Sequence, residues 1–170
     1  LLLNVFAVLA VMLTVQLSAS AQGTYNMCSV STTTDSIGTL YDSGGPNDVY
    51  VINENCTLLI SPPCATTITL SFQKFATESG YDFFTVYDGT TTAGLQLMSY
   101  AGTTIPAPVT ATSGSMLIVW RSDISIIDSG FACTWESVIA PSITPTAALG
   151  IGNTNPPLLT DVQFTDLSTG

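Results

Sequence analysis

Histidine is absent from the 170 residues, and lysine and arginine occur once each, as Lys74 and Arg121. Without an imidazole there is no Ser-His-Asp triad, no Cys-His dyad and little scope for a zinc site. Two cations set against 12 acidic residues leave a formal net charge of -10. Such a surface has no cluster of basic side chains with which to hold nucleic acid phosphates, and it is equally unsuited to anionic lipid. No CxxC pair is present, which disfavours metal binding by thiolates. Neither HExxH nor GxSxG occurs, so the common hydrolase signatures are missing. Helical spacing of apolar residues is nowhere sustained over three turns beyond the first 21 positions, and no repeat of fixed period is found.

Apolar residues, by contrast, are plentiful at 46%, enough to build the core of one domain with a fragment of a second. The opening run "LLLNVFAVLAVMLTVQL" precedes Ala19-Ser20-Ala21, a small-x-small pattern of the kind cleaved by signal peptidase. A membrane anchor of that length is the competing reading. Asn4 and Gln16 inside the run, and the small residues directly after it, favour a signal peptide over residues 1–21 and therefore an exported chain with no membrane segment after cleavage. The chain has no starting Met and no basic residues ahead of the run, which reads as truncation at its start.

Beyond the leader the dominant period is two. In "TITLSFQKF" Ile68, Leu70 and Phe72 alternate with Thr69, Ser71 and Gln73, the pattern of a half-buried strand. "CTLLI", "DFFTVYD", "SMLIVWRSD" and "GFACTWES" are short, rich in β-branched and aromatic residues, and bounded by turn formers such as "DSGGPND", "DGTTTAG" and "TIPAP". Many short strands between such turns predict an all-β fold, an antiparallel β-sandwich. The strand phase puts Trp120 and Trp135 on the core face rather than in a sugar-stacking role. Phe131, Cys133 and Trp135 share one face of the last strand. Cys28, Cys56, Cys64 and Cys133 imply two disulfides in an oxidising compartment, with three connectivities open. Strand faces make Cys64, at a strand entrance, a plausible partner for Cys133. After Val138 the composition shifts to a Pro- and Thr-rich linker over 139–147, followed by strand-like runs in 148–170.

The acids are unevenly placed. "FATESGYDFFTVYDG", residues 75–89, sets Glu78, Asp82 and Asp88 among apolar and aromatic residues. Asp88 precedes Gly89 and reads as a hairpin turn residue; Asp42 in "DSGG" reads as a turn residue as well. Glu78 and Asp82 can be imagined as a glycosidase pair, but no substrate or cofactor motif accompanies them.

From Cys28 to about Val138 the chain resembles a CUB domain, a secreted jelly-roll β-sandwich. The resemblance rests on "GTLYDSGGPNDVY", "CTLLISPP", "ITLSFQKFATESGYDFFTVYDG", "YAG", "IPAPVTATSGSMLIVWRSD" and "SDISIIDSGFACTW", which occur in family order. It implies a domain over 22–138 and a disulfide between Cys28 and Cys56. A second cysteine pair common in animal members falls here on Gly80 and Ala101, so pairing of Cys64 with Cys133 rests on strand faces alone. In the calcium-binding members an acid before the "YD" strand, the Asp of "YD" and the Asp of the "SD" loop converge; these fall on Glu78, Asp82 and Asp123. The loop Ile124-Ser125-Ile126 is expected to add oxygens, with Ser125 counted among the metal ligands. Calcium takes about six to eight oxygen ligands and so suits this set. Asp128 has no matched ligand role.

"VQFTDLSTG" resembles the opening of a PKD domain, an immunoglobulin-like β-sandwich, over 148–170, and the succession of segments resembles secreted or surface multidomain bacterial proteins. The implied function is a non-catalytic, calcium-dependent extracellular binding or adhesion module. Its partner is an extracellular protein offering a basic side chain beside the calcium, or a glycan. The alternative is an accessory targeting domain of a secreted hydrolase or peptidase whose catalytic part lies beyond Gly170.

Overall fold

The computed structural model describes residues 22–141, together with the backbone of 149–151 and 164–166. The leader at 1–21 and most of the PKD-like stretch at 148–170 lie outside the described residues. The described strands are β1 (Gly23–Asn26), β2 (Thr32–Thr33), β3 (Ile37–Tyr41), β4 (Asn55–Ile60), β5 (Ala65–Ala76) and β6 (Phe83–Asp88). They continue with β7 (Leu95–Tyr100), β8 (Val109–Ala111), β9 (Met116–Arg121), β10 (Gly130–Ile139), β11 (Leu149–Ile151) and β12 (Phe164–Asp166). No helix interrupts them among the described residues.

Two five-stranded sheets form, β1-β3-β10-β5-β8 and β2-β4-β9-β6-β7. Pairing is antiparallel throughout them except where β1 joins β3 and β2 joins β4. The two-residue period explains the layers. Ile68, Leu70 and Phe72 of β5 point inward and are buried, as are Phe131, Cys133 and Trp135 of β10 and Phe84 and Val86 of β6. Phe72, Phe75, Phe84, Phe131 and Trp120 meet largely edge to face between the sheets, with Phe84 and Phe131 centroids 4.7 Å apart. Trp120 and Trp135 are core residues, as their strand phase predicts. β11 and β12 pair antiparallel in a separate two-stranded sheet.

Cys28 and Cys56 form a disulfide that ties the turn after β1 to β4, and so one sheet to the other. Closing a loop of 28 residues stabilises the fold by about 3.5 kcal/mol in the chain-entropy model. The pairing expected for Cys64 with Cys133 does not form; both are free thiols. The reason is register. Both cysteines border the β5–β10 ladder, but Ala65 faces Ile139 while Cys133 faces Phe72. At about 3.3 Å per residue the two sulfurs stand roughly 20 Å apart along the ladder, far beyond disulfide reach. The signal was the inward face of Cys133 with Cys64 at a strand entrance, and neither says anything about position along the strand.

One end of the sandwich collects the close of β3, β5 and β9 and the opening of β4, β6 and β10. Asp42, just past β3, is fully buried there. Its Oδ1 accepts the Gly44 N–H at 2.8 Å, as a turn former would, while Oδ2 accepts the N–H of Phe131 at 2.9 Å. Burial pushes its carboxyl above the usual range, against the pull of those two hydrogen bonds. At the opposite end Asp88 stands where β6 turns into the antiparallel hairpin with β7, as its Asp-Gly sequence predicts, but the connection is a longer loop in which Asp88 faces Leu95. Its carboxylate instead accepts hydrogen bonds from Thr112 N, Thr112 Oγ1 and Ser113 N, each at 2.9–3.0 Å. Desolvation works against its ionisation, but these donors win and hold the carboxyl at about 2.

Candidate metal centre

Three segments meet at the Asp42 end. The first is the loop between β3 and β4, the second the turn 77–82 between β5 and β6, and the third the loop 122–129 between β9 and β10. Gly80 at φ +83 lets the second turn tightly, so that the N–H groups of Tyr81 and Asp82 both reach the carbonyl of Glu78, at 3.3 and 3.1 Å. Thr77 braces it from beneath, donating its hydroxyl to the Asp82 carbonyl at 3.0 Å and accepting the Gly102 N–H at 3.1 Å.

Asp82 is wholly buried. Its Oδ2 accepts the hydroxyl of Tyr50, itself wholly buried. Its Oδ1 accepts the N–H of Asp123 at 2.8 Å, which draws the third segment onto the second. Asn53 N–H donates to the carbonyl of Asp123 at 2.6 Å and so ties in the first. Ser125 N–H closes a small turn on Asp123 Oδ1 at 2.8 Å.

The outcome is convergence. One carboxylate oxygen each from Glu78, Asp82 and Asp123 lie within 4.8 Å of one another. Among the described residues the recorded hydrogen bonds to these carboxylates come from Tyr50 and backbone N–H groups, and Glu78 Oε2 is buried with no partner. Partial desolvation of the Glu78 carboxyl raises its pKa, and the neighbouring Asp123 and Asp82 charges push it the same way. Of the two basic residues, Arg121 turns its Nε to Asn55 Oδ1 at 3.3 Å, and Lys74 acts electrostatically on Asp42. The donor set is made of hard oxygens, an unpartnered one included, and it fits a hard divalent cation far better than a soft one.

The sequence reading named Glu78, Asp82 and Asp123, and the fold brings all three together. Ser125 joins them through its N–H. Asp128 caps its own loop by accepting the Ser129 N–H. Tyr50 was missed. It lies in a loop without strand periodicity, and only the folded arrangement shows its hydroxyl aimed at Asp82 and its ring set edge-on against Trp120, centroids 5.1 Å apart. Glu54, which accepts the Trp120 indole N–H at 2.7 Å, was missed for the same reason.

Comparison with known proteins agrees with this architecture. The family profile for the CUB domain matches residues 28–135. Human multiple epidermal growth factor-like domains protein 8 is 38% identical over 93 residues, 54% of this chain and 3% of that protein. Rat cubilin is 32% identical over 114 residues, 65% of this chain and again 3% of that protein. The chain thus spans a small fraction of the curated relatives it matches. These relatives are animal proteins, so the bacterial setting expected from the leader and tail gains no support from them. Among solved structures, the MASP-1 CUB2 domain bound to Ca2+ superposes with a TM-score of 0.54 at 24% identity, covering 64% of this chain and 99% of that one. The CUB1-EGF-CUB2 segment of human MASP-1/3 gives 0.56 at 22% identity, over 65% and 42%. CUB domains are extracellular binding modules of larger proteins, without catalysis of their own. With the sandwich, the disulfide and the profile in agreement, this chain belongs to the CUB family.

Proposed function

We propose that residues 22–138 form a calcium-dependent extracellular binding module in which Glu78, Asp82 and Asp123 hold the cation and the 124–126 loop, Ser125 included, contributes further oxygens. The observation that carries this reading is the meeting of three carboxylate oxygens within 4.8 Å around a buried, unpartnered Glu78 Oε2. Carboxylates so placed repel one another, and a divalent cation turns that cost into attraction. The bound ion would pin loop 122–129 against turn 77–82 and hold the acidic end in one shape. An extracellular protein ligand with a lysine or arginine suits the net charge of -10 better than a glycan does. On this reading the module is one part of a longer exported protein, with the leader at 1–21 and the PKD-like opening at 148–170 as its flanks.

The test is a calcium titration by calorimetry, with thermal melting alongside, of the chain and of its Asp123→Ala variant. One site in the range of about 0.1–1 mM, typical of extracellular modules, is expected in the parent and its loss in the variant. Calcium at about tenfold above its dissociation constant adds about 1.4 kcal/mol of stability. No heat and no shift in the parent would sink the reading.

A further inference from the structure

Strand β9 breaks the two-residue period. Positions 116–120 are all apolar, and Leu117 and Val119, which face away from the core, are only 8% exposed. No third sheet packs over them among the described residues. An outward side chain that stays dry is shielded by taller neighbours on its own face, so this face of the sheet is hollow.

Register gives the hollow its shape. Across β9, β6 and β7 the outward rows are Arg121–Phe83, Val119–Thr85–Ser99 and Leu117–Tyr87–Gln96. The middle row is short and the rows on either side of it carry long side chains, which makes a trough with raised ends. From Phe83 to Tyr87 it runs about 13 Å, and three strands make it about 10 Å wide. Its volume is about 330 Å³, within the usual span of ligand clefts, about 300–1,000 Å³.

The polar side chains around this floor are open to a ligand. The middle hydroxyls satisfy each other, Thr85 Oγ1 lying 3.0 Å from Ser99 Oγ. The Tyr87 hydroxyl and the Gln96 amide, by contrast, have no hydrogen-bond partner among the described residues. Arg121 donates its Nε to Asn55 Oδ1 at 3.3 Å, which leaves its terminal N–H groups for a bidentate carboxylate. It pairs with no acid among the described residues, in a chain that has 12, and no acid lines the trough.

These groups select the occupant. Phe83 and Tyr87 offer rings on which the C–H face of a sugar lies flat, and the amide and phenol suit sugar hydroxyls. The trough is long enough for two six-membered sugar rings end to end. Arg121 calls for one carboxylate. The net charge of -10 works against a ligand charged on every ring, whereas a single charge paired on Arg121 is shielded from distant acids beyond about 8 Å at physiological salt. We infer that the outward face of β9, β6 and β7 binds a glycan in which a hexuronic acid alternates with a neutral N-acetylhexosamine, the carboxylate on Arg121 and the acetyl methyl on Val119. The site shares no side chain with the metal centre and does not depend on calcium.

The experiment titrates the isotope-labelled chain and follows amide NMR shifts, in calcium and again in chelator. The probes are a tetrasaccharide of alternating glucuronic acid and N-acetylglucosamine, the tetramers of N-acetylglucosamine and of galacturonic acid, sialyllactose, and a glutamate-containing tetrapeptide. The first is expected to bind about tenfold tighter than any other, a gap of about 1.4 kcal/mol. Its shifts should gather on 83–87, 95–99 and 117–121 and be the same in calcium and chelator. Arg121→Gln should bring it down to the level of the neutral tetramer, and Arg121→Lys, which keeps the charge but not the fork, should lose several-fold. Ser99→Tyr fills the floor at an exposed strand position that accepts tyrosine well, and should abolish binding of both; unchanged melting of the variants shows that the fold is intact. Equal binding of the acidic and neutral tetramers, shifts centred elsewhere, indifference to the Arg121 substitutions, or no binding overturns the inference. Tighter binding of sialyllactose or of the peptide overturns it in favour of a sialic acid or a protein ligand. Shifts that vanish in chelator overturn it too, whereas a chain that keeps them but gives no calcium heat fails the metal reading alone.

Discussion

Tyr50 gives its hydroxyl hydrogen to Asp82, a residue 32 positions away, and both side chains are fully buried. The bond sets the direction of the most enclosed carboxylate of the cluster. Burial and the adjacent Asp82 raise the Tyr50 phenol far above its ordinary value, so it remains a donor at any physiological pH. Tyr50→Phe keeps the ring against Trp120 and removes only the donor. A loss of about 1.5–3 kcal/mol is expected in urea denaturation, as for a hydrogen bond to a charged group, together with weaker calcium binding in calorimetry.

Acid should compete with calcium at Glu78. Its raised pKa means that protonation of the free protein begins above the ordinary value of 4.5. Calcium affinity is therefore expected to fall as pH drops, starting before an isolated glutamate would titrate. In chelator the sign reverses. A group whose folded pKa lies above its unfolded one binds more protons when folded, so lowering the pH through that window raises this group's share of stability. Melting curves with and without calcium over about pH 4–7 read both trends, and Glu78→Gln should flatten them.

Asp88 titrates in the other direction. Its folded pKa of about 2 lies below the ordinary 3.8, so its stabilisation is full above the unfolded value and is lost as pH falls through the folded one. Asp88→Asn should lower the melting temperature at neutral pH, and the gap between variant and parent should close between about pH 4 and pH 2. A gap independent of pH would mean that the Thr112 and Ser113 donors do not depend on its charge.

Gly130 sits against Asp42. A Cβ at position 130 would lie 2.0 Å from Asp42 Oδ2, and the backbone there has φ +76. Gly130→Ala is expected to cost about 2 kcal/mol or more from strain and displacement of a buried carboxylate. Because Gly130 ends the 122–129 loop, the same change should weaken calcium binding, measured by calorimetry below the melting temperature.

The free thiols offer a direct check on connectivity. Cys64 is exposed and Cys133 buried, its thiol pushed upward by burial. Native protein is expected to take up one equivalent of iodoacetamide at Cys64, with Cys133 reacting only on unfolding. Cys64→Ser should change stability by no more than about 0.5 kcal/mol. Loss of a disulfide there would cost several times more.

Period and turn chemistry made the sandwich legible, because alternation such as Ile68, Leu70 and Phe72 reports directly which face is buried. The acidic triad was readable only through resemblance. Its members lie up to 45 residues apart, and spacing alone does not bring Asp123 beside Asp82. Tyr50 escaped, and Asp42 was legible as a turn former but not as the acceptor of the Phe131 N–H, because the groups they serve, Asp82 and that N–H, are 32 and 89 positions away. The Cys64–Cys133 expectation failed at register, which a periodic pattern leaves undetermined by any even number of residues.

Strand direction has a mechanical corollary. The chain enters β1 beside the start of β3 and leaves β10 beside the start of β5, with Gly23 facing Gly38 and Ile139 facing Ala65. Both points lie at the far end from the carboxylates, separated from them by the length of β10, about 30 Å. Whatever is joined to the domain pulls on its base, while the acidic tip projects outward like the head of a rivet. A load borne between neighbours would pass through the β1–β3–β10 strands and bypass the acidic loops at the other end.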